Sequence, residues 1–220
     1  MSHVGGIATI LPPQAWQRLT EAGTPRLFDA NVVLMSQGGP ADRVLVLLRG
    51  RVKVTRVDAE GRNLVLAVRG PGELLGEMAV PDGNVRSATI TTIDPCGVRV
   101  IPVDRFLALV DTMKLGNLLL RHAFTRLREG EELRSELASL PAGQRTVRGL
   151  LRLALPEASP RAPGEIDVGL DQTELGRAIG LSRGTVAAEL RPLRDQGLID
   201  TKRGHVVILD LGELRRLLVE

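Results

Sequence analysis

The chain has 220 residues, of which 43% are hydrophobic and 25% are charged, and its formal net charge is +3. This composition is typical of a globular protein of one or two domains, and the single cysteine, Cys96, excludes an intramolecular disulfide and a cysteine-only metal cluster. Aromatic residues make up 2% of the chain, which argues against stacking platforms for single-stranded nucleic acid.

The first half of the chain predicts a short helix followed by a series of strands. Residues 12–23 are predicted to be helical, with Pro12 and Pro13 at the helix entry. Over residues 26–103, short apolar runs recur about every ten residues and are separated by Gly, Pro, Asn and Asp, which is typical of an antiparallel sandwich or barrel. Gly50 and Gly72 stand where tight turns favour a residue without a Cβ.

Helices are predicted after the strands. Residues 104–112 predict a short helix and residues 115–140 a long one with a one-sided apolar stripe. A helix of this kind usually needs a partner, and packing on its own barrel alone is the alternative. Gly130 interrupts the stripe at a cost of ~1 kcal/mol relative to Ala, which close approach of a ligand or a partner backbone would explain. A Pro-Ala-Gly break follows, and a further helix is predicted over residues 146–155. We therefore predict domains over residues 1–114, 115–140 and 141–220.

One loop of the strand region carries a carboxylate, a guanidinium and a hydroxyl. Gly76-Glu77-Met78-Ala79 is followed by Arg86-Ser87-Ala88-Thr89. A ribose 2′-hydroxyl needs a carboxylate acceptor, and a cyclic phosphate needs a planar bidentate donor with a hydroxyl and backbone N–H groups beside it. The loop therefore indicates a cyclic-nucleotide site. An ordinary surface pair of Glu77 and Arg86 is the alternative.

Residues 171–194 fit a helix-turn-helix. Asp171 is predicted to cap the first helix in a capping box with Glu174, Gly180 to take the turn, and Ser182 to cap the second helix. The start of the second helix would then enter the major groove of DNA.

A hairpin over residues 201–208 resembles a wing. The candidate DNA-binding residues are Gln172, Ser182, Arg183, Gly184, Thr185, Ala188, Arg191, Lys202 and Arg203. A generic helical pair is the alternative, and RNA is disfavoured because sequence-reading RNA modules usually bring stacking aromatics.

With both motifs in place, the chain resembles the cyclic-AMP receptor protein/FNR (Crp/Fnr) superfamily of bacterial transcription regulators over nearly its whole length. The resemblance implies an α+β fold with an N-terminal cyclic-nucleotide-binding β jelly roll, a long dimerisation helix and a C-terminal winged helix-turn-helix. It implies a homodimer through residues 115–140 that binds double-stranded DNA at half-sites about one helical turn, ~34 Å, apart. RNA polymerase is a further candidate partner.

The resemblance also implies roles for individual residues. Residues 76–79 with 86–89 are similar to the phosphate-binding cassette of that superfamily, a name we keep for them. Glu77 would accept from the ribose 2′-hydroxyl, Arg86 and Ser87 would hold the cyclic phosphate, and Arg126 would pair with the cassette carboxylate and link the ligand to the dimer axis. The implied ligand contacts are Gly76, Glu77, Met78, Arg86, Ser87, Ala88, Val54, Leu66, Arg126, Gly130 and Glu131.

The chain departs from the cyclic-AMP receptor pattern at the base contact. Gly130 and Glu131 stand where those receptors present a Thr-Ser pair to the adenine amino group. Glu131 can accept from an exocyclic amino group of adenine or guanine, be a solvated charge, or repel its symmetry mate. Losing a buried base contact would cost ~1–3 kcal/mol, enough to weaken binding without abolishing it.

A second departure lies in the recognition helix. Members of the superfamily usually carry an Arg-Glu pair here, with another Arg four residues after the Glu. This chain keeps only the first arginine, as Arg183, and has Gly184 and Ala188 at the other two positions. Arg183 can still grip a guanine bidentately, and Arg191 is expected to meet phosphate, so we expect a different or looser operator.

These observations favour a DNA-binding regulator under allosteric control by a cyclic nucleotide, with cyclic AMP as first candidate and cyclic GMP as second. A regulator of the same fold that is ligand-independent or senses another small molecule is the alternative. No Ser-His-Asp, metal-ligand or Walker pattern supports a hydrolase or transferase, so we do not expect an enzyme.

Neither metal nor redox cofactors are expected. The single cysteine excludes an iron–sulfur cluster, and the histidines, His3, His122 and His205, form no obvious pair of haem ligands. His122 is interpreted as a helix-surface residue. Because no signal peptide and no apolar run of ~20 residues is evident, we expect a cytoplasmic protein that does not contact the membrane.

Overall fold

The computed structural model describes residues 6–80, 83–154, 165–202 and 204–218. The described chain begins with a 3-10 turn over Ile7–Thr9 and helix α1 over Pro13–Ala22, which confirms the first predicted helix. The strands that follow are β1 (Thr24–Phe28), β2 (Val33–Met35), β3 (Arg43–Arg49), β4 (Val52–Val57), β5 (Asn63–Arg69), β6 (Glu73–Leu75), β7 (Thr89–Thr92) and β8 (Cys96–Pro102).

These strands form two four-stranded sheets, in the orders β1-β8-β3-β6 and β2-β7-β4-β5. Strand β3 pairs antiparallel with both β6 and β8. Because successive side chains of a strand point to opposite faces, Val44 and Val46 pack in one hydrophobic cluster while Leu45 and Leu47 pack in another, and all four are at most 2% exposed. The predicted jelly-roll architecture is confirmed.

The turn glycines and the cysteine of this region are explained by the packing around them. Gly50 and Gly72 have φ of +80° and +88°, which confirms the predicted tight turns. A Cβ on Gly50 would lie 2.7 Å from the Cys96 Sγ. Cys96 itself is 2% exposed on β8, and its Sγ lies 3.2 Å from the carbonyl oxygen of Asp94. Burial, with a smaller contribution from the Asp94 carboxylate, raises the pKa of the thiol to about 11.

Three helices follow the strands: α2 (Val103–Thr112), α3 (Gly116–Ser139) and α4 (Ala142–Leu153). Helix α4 begins four residues before the predicted position, with Pro141 at its N-cap. The Thr146 hydroxyl donates to the Ala142 carbonyl one turn earlier, so this threonine lies inside the helix and does not start it. In the described part of the chain, no helix is both long and apolar enough to cross a membrane.

The remaining elements form a small α/β assembly. They are β9 (Ile166–Asp171), α5 (Gln172–Ile179), α6 (Arg183–Asp195), β10 (Ile199–Lys202), β11 (His205–Ile208) and α7 (Leu211–Arg216). The order of the three-stranded sheet is β10-β11-β9, and β10 with β11 is the predicted wing hairpin. Strand β9 has no alternating pattern because residues 167–170 are all buried, and it contains Gly169 at φ +74°.

The chain divides into two compact units. Met1–Val57 and Val68–Gly130 form the first, and Asp58–Ala67 and Glu131–Glu220 form the second. The boundary within α3 falls between Gly130 and Glu131. In the second unit, the end of α3 is tied to α4, because Arg152 donates to the buried carboxylate of Glu136 at 2.6 Å.

Candidate functional site

The cassette is built around the guanidinium of Arg86, which is 5% exposed. Its Nε donates to the Pro40 carbonyl at 3.1 Å, its Nη1 to the Gly76 carbonyl at 2.6 Å, and its Nη2 to the Arg43 carbonyl. Gly76 has φ +83°, and a Cβ there would lie 2.6 Å from Arg86 Nη1 and 2.7 Å from Met35 Sδ. Glycine at position 76 is therefore required both by the left-handed backbone and by the space that Arg86 occupies.

Arg86 is not part of an exposed ion pair with Glu77. Among the described residues, its nearest carboxylate oxygen is Oδ1 of Asp42, 3.7 Å from Nη2. Burial lowers the pKa of Arg86, while the Asp42 carboxylate opposes that shift, so the group stays charged at neutral pH. The backbone carbonyls thus hold a fixed cation at this point of the barrel.

A cavity of about 230 Å³ borders Arg86. Its lining includes Leu34, Met35, Pro40 and Arg43, and Glu77 is not among the residues that line it. The cavity gives an anion access to the guanidinium of Arg86, but it does not extend to the carboxylate of Glu77.

The Glu77 side chain is 14% exposed, and it lies in a cluster of charged groups. Its carboxylate Oε1 is 4.0 Å from Nε2 of His122 on α3. Burial raises the pKa of Glu77 to about 7, although the positive charges of Arg126 and Arg69 oppose the shift. The carboxyl group therefore exchanges its proton close to neutral pH.

Arg126 has a different partner from the one that the resemblance implied. Its Nη2 lies 2.5 Å from Oε1 of Glu73 on β6, and its Nη1 lies 3.1 Å from Glu129. Glu129 also accepts from Arg69 at 2.9 Å. The pairing of Arg126 with Glu77 is corrected to Glu73, because the buried Glu73 side chain on β6 occupies the position that faces this arginine.

The interpretation of His122 as a helix-surface residue is wrong, since it is 3% exposed. Its Nε2 lies 3.7 Å from Oε2 of Glu73, so that it stands between Glu73 and Glu77. Within the described residues, neither this nitrogen nor Glu73 Oε2 has a hydrogen-bond partner. The sequence did contain a signal for this position: His122 precedes Arg126 by one helical turn, so both lie on the same face of α3.

The other implied ligand contacts differ in exposure. In the first unit, Met78 is 61% exposed and Ser87 is exposed, whereas Ala88, Val54 and Gly130 are half-buried. Leu66, which is 44% exposed, and Glu131, which is exposed, belong to the second unit. A Cβ on Gly130 would meet no atom of the described residues within 4 Å, so packing among those residues does not explain this glycine.

The helix-turn-helix is formed as the sequence predicts. The Glu174 amide donates to Asp171 Oδ1 at 2.7 Å, and the Asp171 amide donates to Glu174 Oε2 at 3.3 Å, which completes the capping box. Gly180 ends α5 at φ +66°, and Ser182 Oγ accepts from the Thr185 amide at 3.1 Å. The inward faces of both helices are at most 1% exposed: Leu175, Ile179, Val186 and Leu190.

The candidate DNA contacts form an accessible surface. Ser182, Arg183 and Gly184 are exposed at the start of α6, as are Ala188 and Arg191 further along. Gln172 and Thr185 are half-buried, and both take part in the first turn of a helix. Lys202 on β10 lies 2.7 Å from the Glu165 carboxylate. Arg203 lies outside the described residues.

Replacing Asp171 by alanine is expected to lower the free energy of unfolding by ~1 kcal/mol, because the Glu174 amide at the start of α5 loses its acceptor. Urea denaturation followed by circular dichroism measures this. Asp195→Ala is the matched control, since this exposed carboxylate at the end of α6 makes no capping bond in the described chain. Equal losses in the two variants would contradict the capping role.

Among the described residues, no group of three or more His, Cys, Asp or Glu side chains could hold a metal ion. The two sites therefore offer hydrogen bonds and charges to a ligand. The charged cluster around Glu77 suits a small polar ligand, and the surface of α6 suits an extended polyanion.

Comparisons with known proteins match both regions. Residues 25–113 match the family described as cyclic nucleotide-binding domain, and residues 144–217 match the Crp-like helix-turn-helix domain. A CRP-like cAMP-activated global transcriptional regulator from Mycobacterium tuberculosis is 29% identical over 216 residues, covering 96% of this chain and 95% of that protein. The cAMP-activated global transcriptional regulator CRP from Pasteurella multocida is 30% identical over 188 residues, covering 82% of this chain and 88% of that protein.

Solved structures give the same answer for the fold. A transcriptional regulator of the CRP/FNR family from Thermus thermophilus matches with a TM-score of 0.73 at 26% identity, covering 90% of this chain and 99% of that chain. The matches fall on the two modules that the sequence predicts, a nucleotide-binding barrel and a DNA-binding motif, and they confirm that interpretation.

Proposed function

Because the chain belongs to the Crp/Fnr superfamily of transcription regulators, we propose that it is a homodimer whose DNA binding is controlled by a cyclic nucleotide, with cyclic AMP as the first candidate. This superfamily consists of regulators and not of enzymes, so the hydrolase or transferase alternative is discarded. The observation that carries the proposal is the buried Arg86, fixed by three carbonyls beside the cassette turn, in a chain that also has a helix-turn-helix.

The cassette supports a ligand with both a phosphate and a sugar hydroxyl. Arg86 has five N–H donors, of which three are used by backbone carbonyls, so donors remain for a phosphate oxygen. Ser87 is exposed beside it and would add a hydroxyl. Glu77 would accept from the ribose 2′-hydroxyl. Both relatives named above are cAMP-activated regulators, which supports cyclic AMP as the first ligand to test.

The exposed stripe of α3 supports a dimer. Leu120, Phe124 and Leu127 are 52%, 49% and 52% exposed, and their spacing puts them on one helix face. Large apolar side chains in such a row favour burial against another helix. We assign that role to α3 of a second copy, which would complete a symmetric interface.

The chain differs from the cyclic-AMP receptors at the residues that would contact the base of the nucleotide. Gly130 leaves open space on its face of α3, and Glu131 is exposed. A carboxylate at position 131 can accept from the amino group of adenine or of guanine. Cyclic GMP is therefore the second ligand in the test.

Calorimetric titration of the full chain with cyclic AMP and cyclic GMP tests the ligand, and equilibrium sedimentation tests the dimer. The expected result is that the chain is a dimer and that it binds one of the two nucleotides saturably. DNA binding is then measured on duplexes selected from a random-sequence pool, with and without that nucleotide. Arg183→Ala is expected to weaken operator binding by ~1–3 kcal/mol, and Arg105→Ala on α2 is the matched control.

A regulator of the same fold that needs no nucleotide is the second candidate, and one observation favours it. Three N–H groups of Arg86 are already held by carbonyls, so the cation has a structural role without any ligand. Operator binding that is unchanged by either nucleotide would support this candidate.

A further inference from the structure

Helix α3 places a buried histidine between two carboxyl groups of the barrel. His122 Nε2 is 3.7 Å from Glu73 Oε2 and 4.0 Å from Glu77 Oε1. Both separations exceed the ~3.2 Å of an ordinary N–H···O bond, and the nitrogen has no hydrogen-bond partner within the described residues. A buried polar atom without a partner is costly, so a small movement that closes one of these gaps is favoured.

The two carboxyl groups are not equivalent acceptors. Glu73 already accepts from Arg126 through Oε1, at 2.5 Å, in a direct ion pair. Glu77 makes no ion pair with an arginine in the described chain, and burial raises its pKa to about 7. Glu77 is therefore the group whose charge changes near neutral pH, and it is also the cassette residue proposed to meet the ribose.

The charged groups around the imidazole come from two strands, the turn after β6 and α3. They are Arg69 on β5, Glu73 on β6, Glu77 in the turn after β6, and Arg126 and Glu129 on α3. Burial and the two arginines lower the pKa of His122, while Glu73 and Glu129 oppose the shift. A neutral imidazole can still donate one N–H bond, so it can support a carboxylate without carrying a charge.

We propose that His122 is a positioning residue for nucleotide binding: it donates from Nε2 to Glu77 Oε1 when a ligand is bound, and so keeps Glu77 ionised as the acceptor of the ribose 2′-hydroxyl. The proposal rests on the proposed function. The proton balance is simple. The carboxyl proton of Glu77 is released to solvent, and the ribose hydroxyl donates to Glu77 Oε2 in its place.

The sign of the pH dependence follows from this balance. In the free protein Glu77 has a pKa of about 7, so it is mostly protonated at pH 6 and must lose its proton for the ligand to bind. Affinity should therefore rise with pH up to about pH 7 and level off above it, and binding at pH 6 should release about one proton.

The test is calorimetric titration of the full chain with cyclic AMP and cyclic GMP at several pH values, in buffers of different ionisation enthalpy. His122→Met removes the donor and is expected to weaken binding about tenfold to hundredfold at pH 8, and to reduce proton release at pH 6. His122→Gln keeps an N–H donor and should recover most of both. Asp111→Asn, an exposed carboxylate on α2, is the matched control and should match the unmodified chain.

The ligand offers a second, independent control. A 2′-deoxy cyclic nucleotide lacks the hydroxyl that needs the ionised carboxylate, so its binding should release far less than one proton. Circular dichroism checks that each variant is folded. A His122→Met variant that binds more weakly but releases the same number of protons would show a purely structural role and overturn the proposal.

Failure of the inference and failure of the proposed function are distinguishable. If the unmodified chain binds neither nucleotide at any pH, the proposed function fails and the inference falls with it. If the unmodified chain binds one of them without releasing a proton at pH 6, the proposed function stands and the role of His122 is wrong.

Discussion

Replacing Arg86 by alanine is expected to abolish measurable nucleotide binding and to destabilise the first unit. The ligand loses its charge-assisted phosphate contact, which should weaken binding at least about a hundredfold. The carbonyls of Pro40, Arg43 and Gly76 lose their common donor, so the free energy of unfolding should fall by about 2–4 kcal/mol. Titration with cyclic AMP and urea denaturation measure the two effects.

Two further variants separate the ligand contact from the structural role of Arg86. Arg86→Lys keeps the charge but not the planar set of donors, so part of the stability should return while binding stays at least about tenfold weaker. Arg105→Ala, an exposed arginine on α2, should change neither quantity. Unchanged nucleotide affinity in a folded Arg86→Ala variant would contradict the assignment of the phosphate site.

Replacing Arg126 by methionine is expected to lower the free energy of unfolding by about 3–5 kcal/mol. The Glu73 carboxylate, whose side chain is 7% exposed, would lose the arginine that neutralises it inside the protein. Combining Arg126→Met with Glu73→Gln removes both charges and should recover most of the loss. Arg128→Met is the control, because Arg128 is exposed on the same helix. The measurement is urea denaturation.

The outcome also shows how much the ion pair of Arg126 and Glu73 contributes to stability. A loss well below 1 kcal/mol would mean that this pair contributes little. If Arg126→Met costs several kcal/mol and the double variant recovers it, Glu73 is the partner in the ligand-free protein.

Local patterns in the sequence were sufficient for the caps and the turn of the helix-turn-helix. The capping box of Asp171 and Glu174, the turn at Gly180 and the cap at Ser182 each involve residues at most four positions apart, so short-range rules identify them. Strand β9 escaped prediction because it is buried on both faces and lacks alternation, and periodicity is then uninformative.

The charged cluster could not be predicted in the same way. Glu73, Glu77, His122 and Arg126 come from a strand, a turn and a distant helix, and which carboxylate faces the arginine depends on how α3 lies on the barrel. The resemblance identified Glu77 and Arg126 as site residues but implied an ion pair between them, whereas Arg126 pairs with Glu73. The one-turn spacing puts His122 on the same helix face as Arg126 but does not show that it is buried, and Glu73 belongs to no motif in the sequence. Burial distinguishes both residues, and burial is a property of the packed protein.

The buried thiol of Cys96 has a practical consequence for experiments on this chain. With a pKa of about 11 and 2% exposure, it is a poor nucleophile and will react slowly with maleimides or air. The chain is therefore a ready background for spectroscopic labelling. A cysteine introduced at an exposed position such as Arg128 or Arg191 would be the one fast-reacting thiol, so fluorophores or spin labels could report distances without first mutating the native cysteine.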